Sequence, residues 1–149
     1  MGLGGDKGGE LSRFGEETDA RARAKLLDDG LAQLDAYWAG EFEPRPVQRP
    51  RIPVWVASRY PYKKPVRRAA RWDGWFPIDH EEPGQLHEML EIVGAERGSL
   101  DGFDVVVTNR PGTDRAPWEA AGATWCLTGW GNQPRYDEVA EAIDAGPSA

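Results

Sequence analysis

Four short apolar runs, spaced about 20–30 residues apart and separated by helical patterns, constrain this chain more than any other feature. They are Val54-Trp55-Val56-Ala57, Gly74-Trp75-Phe76, Phe103 to Thr108 and Thr124-Trp125-Cys126-Leu127. Consecutive β–α–β units with intervals this long predict right-handed crossovers and a parallel sheet, so the fold class is α/β. The first run has no polar alternation, which suits a strand buried on both faces. The third is richest in β-branched residues and is the strongest strand prediction.

The helices follow from periodicity and capping. Leu27, Leu31, Leu34 and Trp38 form one stripe of a first helix, with Thr18 as its N-cap and Gly40 as its stop. A connector from Pro44 to Pro53 carries four prolines and is expected to run extended. A short helix is expected from Lys64 to Arg71. Another opens at Pro83 and ends at Gly98, with Leu86, Leu90 and Val93 on one face. Asp114 can cap a helix through Ala121, and Tyr136, Val139, Ala140 and Ile143 line the last one.

A length of 149 residues suits a single domain over 1–149. No apolar run approaches the roughly 20 residues of a membrane span, and the opening residues lack the apolar stretch of a signal peptide. A single cysteine, Cys126, forms no internal disulfide and fits a cytoplasmic protein. Nine basic residues and no acidic one lie between Pro44 and Trp72, inside a chain of net charge −7. Such a block is either an anion-binding surface or a solvated helix and loop. Overall acidity and the lack of a nucleic-acid-binding motif oppose nucleic acid as its partner.

Ligands of parallel α/β sheets bind at the carboxyl ends of the strands. Ala57 to Tyr60, Pro77 to His80, Thr108 to Arg110 and Thr128 to Asn132 are therefore the positions to examine. Free amides near Ser58, with Arg59 beside them, suit a phosphate. His80 lies among Asp79, Glu81 and Glu82, where a carboxylate could orient its imidazole for proton transfer, so it is the candidate catalytic residue. Trp130, between two glycines after the last strand, is the candidate for lining a substrate pocket. No metal site is expected, because adjacent acidic residues point apart and no second histidine has ligand spacing. Gly2-Leu3-Gly4-Gly5 has no strand before it and does not qualify as a dinucleotide loop.

The segments Pro-Arg-Pro-Val-Gln-Arg-Pro-Arg-Ile-Pro-Val-Trp-Val (44–56) and Arg-Arg-Ala-Ala-Arg-Trp-Asp-Gly-Trp-Phe-Pro (67–77) resemble the luciferase-like monooxygenase family. These are flavin-dependent oxidoreductases on a (β/α)8 TIM barrel. The segment from Phe14 to Thr18, with the helix after it, is similar to the stretch that follows the family's fourth strand. The resemblance implies a partial barrel made of strands five to eight, a truncated form lacking the N-terminal half. It also implies FMN or a deazaflavin of the 8-hydroxy-5-deazaflavin type as cofactor, and a small-molecule substrate. The flavin phosphate would be held by Ala57, Ser58 and Arg59 and by Pro77, Ile78 and Asp79. Where Ala57-Ser58 stand, the family usually has Gly-Gly. A half-barrel has open edges, so a complementary half-barrel or a homodimer is the expected partner. The alternative is a non-catalytic remnant or interaction subunit that binds no flavin.

Overall fold

In the computed structural model, which describes residues 1–146, four strands and five α-helices follow one another along the chain. Helix α1 (Ala20–Ala36) runs into a π-helical turn at Tyr37–Glu41. Strand β1 (Trp55–Arg59), helix α2 (Lys63–Ala69), strand β2 (Gly74–Ile78) and helix α3 (Pro83–Arg97) come next. Strand β3 (Asp104–Asn109), helix α4 (Ala116–Ala120), strand β4 (Trp125–Thr128) and helix α5 (Tyr136–Ala145) complete the order. The sheet is parallel throughout, in the order β1-β2-β3-β4. The fold is α/β, as the rhythm of apolar runs implies. None of the described helices is long and apolar enough to cross a membrane.

Local chemistry sets the element ends. Asp19, not Thr18, caps α1: its carboxylate accepts from the backbone N–H of Arg21 and Ala22. Both residue types are good caps, and the pattern of apolar positions does not separate neighbours one residue apart. Leu31 from the α1 stripe is buried, while Leu27 and Trp38 pack at the edge of the core. Pro83 occupies the first turn of α3, and Gly98 ends it in the left-handed region at φ 80°.

One face of the sheet carries the core. Val56, Trp75, Val105 and Val107 point to the same side, where Val66, Leu86, Met89, Leu90 and Val93 from α2 and α3 cover them. Among the described residues, no helix covers the opposite face of β4, where Trp125 and Leu127 stay exposed. The first strand alternates in burial instead of being buried on both faces, with Val56 and Ser58 enclosed and Trp55 and Ala57 only partly so. Trp125 at 49% and Leu127 at 38% exposure belong to this open face. Helix α5 buries no residue at all.

At the amino ends of the strands, one layer crosses the open face. Asp104 accepts a hydrogen bond from the indole N–H of Trp55 and another from Trp125, both at 2.9 Å. The two indoles meet at a centroid distance of 5.7 Å. Gly74 lies beneath them: a Cβ there would sit 2.6 Å from Trp55 Cδ1 and 2.7 Å from the Asp104 carbonyl oxygen. The backbone oxygen cannot swing aside as a flexible side chain can. We expect Gly74→Ala to lower stability by about 1–3 kcal/mol through overpacking. Urea denaturation monitored by tryptophan fluorescence checks this, and an unchanged midpoint would show that the layer yields freely.

Candidate functional site

The carboxyl ends of β1 and β2 lie side by side, because Ser58 is in register with Pro77 and Arg59 with Ile78. Ser58 is buried, and its Oγ accepts from the indole N–H of Trp75 at 2.7 Å. Accepting that bond leaves the hydroxyl proton free to donate elsewhere. Arg59 is exposed and forms an ion pair with Asp79 across the two strand ends. Asp79 has φ 62°, the only positive value outside glycine among the described residues. Strained backbone of this kind persists where surrounding contacts hold it.

The chain's opening residues unexpectedly complete this end of the sheet. The Met1 ammonium donates to the Trp55 carbonyl, and the Ala57 N–H donates to the Met1 carbonyl at 2.6 Å. These two bonds are the pattern of a parallel strand pair, made by a single residue on the β1 edge. Gly2 passes so close that a Cβ on it would lie 3.0 Å from Ala57 Cβ. Partial burial of the Met1 ammonium lowers its pKa. A cavity of about 800 Å³ results, lined by Gly2, Gly4, Gly5, Lys7, Ser58 and Arg59, with Glu10 also at its margin. The Ala57 amide is thus already engaged, contrary to the expectation of a free amide at that position. No dinucleotide-type pattern marks Gly2 to Gly5; their role comes from tertiary pairing alone.

His80 is placed by a carbonyl and not by a carboxylate. Its Nδ1 lies 3.3 Å from the Ile78 carbonyl oxygen, while Asp79 turns to Arg59 and Glu81 and Glu82 are exposed. The ring meets Tyr60 edge-on at 5.5 Å and Trp75 edge-on at 5.2 Å. Burial lowers its pKa, partly offset by the Ile78 carbonyl, so the neutral ring is favoured. A carbonyl can only accept, so this contact favours the tautomer with the proton on Nδ1 and Nε2 as acceptor.

Among the described residues, three buried side-chain polar atoms have no hydrogen-bond partner: His80 Nε2, Asn109 Nδ2 and Trp130 Nε1. Asn109 ends β3, and His80 and Trp130 each lie two residues past the ends of β2 and β4. Each such group costs about 1–3 kcal/mol when unsatisfied, and all three lie at the carboxyl ends of the strands. Trp130 does not join the Ser58–His80 group. It lines a different cavity with Pro111, Thr128 and Ile143. Cys126 is half-buried, and burial raises its thiol pKa, which disfavours a nucleophilic thiolate. No family model, no curated protein and no solved structure matches the chain.

The depressed His80 pKa has a sign that can be checked. Between the folded and unfolded values the unfolded chain binds the extra proton. His80 therefore contributes stability fully above the ordinary imidazole pKa, and loses it as pH falls toward the folded value. We expect the His80 resonance in an NMR pH titration to have its midpoint below the ordinary value. A midpoint at or above that value would contradict the burial.

Proposed function

We propose that this chain is the carboxyl-terminal half of a luciferase-like flavin-dependent oxidoreductase barrel, with strands β1 to β4 equivalent to barrel strands five to eight. The observation that carries the reading is the cavity at the end of β1, where a basic side chain, a buried hydroxyl and a glycine-rich strap converge. The strand order supports it too. Consecutive strands are neighbours without reversal, as in a barrel, whereas a doubly wound sheet reverses direction at a switch point.

The donor set suits the phosphate of FMN or of an 8-hydroxy-5-deazaflavin. Ser58 has a hydroxyl proton to give, and Arg59 has further N–H groups beyond those facing Asp79. Lys7 adds a second cation and the small residues at 2, 4 and 5 leave room for backbone approach. Ile78 also lines this cavity, whereas Pro77 and Asp79 line the smaller one beside it, and Asp79 pairs with Arg59. A bound flavin would supply hydride or oxygen transfer, and the chain would supply binding and orientation. His80, beside Asp79, is the residue with a free acceptor for a small-molecule substrate's proton.

Fluorescence titration of the full chain with FMN and with the deazaflavin tests this. We expect saturable binding, weakened about tenfold by Arg59→Ala through loss of a charge-assisted contact. Absence of any change at high micromolar cofactor would overturn the proposal.

A second reading rests on the open face. With Trp125 and Leu127 exposed and α5 unburied, the half-barrel leaves apolar surface that a complementary half-barrel or a second copy could cover. In that role the chain is an interaction subunit, with or without flavin. Sedimentation velocity at micromolar concentration is expected to show self-association that Leu127→Asp abolishes. A monomer at every concentration would exclude the second copy as partner.

A further inference from the structure

The cavity at the end of β1 has two unlike walls. On one side β1 and α2 supply Ser58 and Pro65, and both elements are anchored in the core through Val56 and Val66. The other wall is residues 2–5. From Asp6 onward the chain folds on itself: the Asp6 carboxylate accepts from the backbone N–H of Leu11 at 2.7 Å and of Ser12 at 3.2 Å, and its carbonyl from that of Gly9. Residues 1–5 have no bonds of that kind among themselves. Among the described residues, three hydrogen bonds tie them down. The Met1 nitrogen donates to the Trp55 carbonyl, the Ala57 N–H to the Met1 carbonyl, and the Arg23 guanidinium to the Gly4 carbonyl at 2.8 Å.

Those ties are weak against what they must hold. Fixing the backbone of one residue costs about as much as one hydrogen bond returns net, and glycine, at positions 2, 4 and 5, costs the most. Burial adds little, since Met1 stays 52% and Leu3 39% exposed. A segment balanced this closely is a two-state element, and a molecule in the cavity that touches only its docked form shifts it toward docking. We propose that residues 1–5 are a movable cover of this cavity, docked and undocked in turn when it is empty and fastened down by the ligand that fills it. The proposal rests on the flavin reading only for the identity of that ligand.

The test uses the full chain labelled with ¹⁵N-glycine, with FMN and anilinonaphthalene sulfonate as probes. The dye joins an anionic group to an apolar body, which suits a cavity lined by Lys7 and Arg59 together with Leu3, Tyr62 and Pro65. Relaxation dispersion on the free chain should show exchange at the Gly2, Gly4 and Gly5 amides on the μs–ms timescale. Arg23→Ala should raise the undocked population about tenfold, the margin expected for one hydrogen bond from a charged donor. A bound probe should shift these three resonances and silence their exchange. A static segment in the free chain would overturn the proposal, as would failure of both probes to move those resonances. So would a probe that moves them yet leaves the exchange running. The flavin reading is judged separately on the same sample. FMN that does not bind, beside a dye that silences the exchange, sinks that reading and leaves the cover. FMN that binds while the exchange continues sinks the cover and leaves the reading.

Discussion

Everything that this chain can do at one place follows from the common direction of its strands. Each crossover helix returns the chain to the same end of the sheet, so every strand delivers its last residues to one rim. Ser58 and Arg59, Ile78 and Asp79, Asn109, and Thr128 are far apart in sequence but share that rim. The covered face is filled by valines and Trp75 against α2 and α3, which fixes the strands firmly enough for their ends to be held in register.

The basic block has a different meaning in three dimensions from the one its composition suggests. Arg51 reaches Asp35 and Asp73, Lys63 faces Glu88, and Arg67 meets Glu96. Arg68, only 8% exposed, and Arg71 share Asp28 of α1. Arg68 holds the Asp28 carboxyl pKa below its ordinary value, with burial opposing. Its two bonds to that carboxylate fasten α1 to α2, a stronger arrangement than the exposed pairs around it. The block is therefore mostly the counter-charge of acidic residues elsewhere in the chain. Arg59 differs in lying at the strand end, where its ion pair bridges β1 and β2 at the cavity mouth.

How much was legible beforehand depends on the range of the interaction. Apolar rhythm is local, and it located all four strands and their intervening helices to within a few residues. Cap choice at Asp19 over Thr18 depends on backbone geometry that the rhythm does not encode. The pairing of Met1 with β1 joins residues 54 apart, and nothing in Gly2 to Gly5 announces it. His80 could be singled out as chemistry-bearing, but not the Ile78 carbonyl that orients it, because every residue has a carbonyl. The exposure of Trp125 is likewise invisible in a strand pattern, since burial requires a layer on both sides of the sheet.

The two ends of the open face divide structural from chemical work. At the amino ends, Asp104 is a carboxylate on a sheet surface and would be expensive if unpaired, yet two indole donors satisfy it and Gly74 makes the space. Nothing there is left for a ligand. At the carboxyl ends the polarity is reversed: an acceptor on His80 and donors on Asn109 and Trp130 are enclosed without partners. The three atoms lie at the end of the strands where parallel sheets present their loops and commonly bind ligands. The proposed flavin reading draws on that same rim, where Ser58 and Arg59 line the larger cavity.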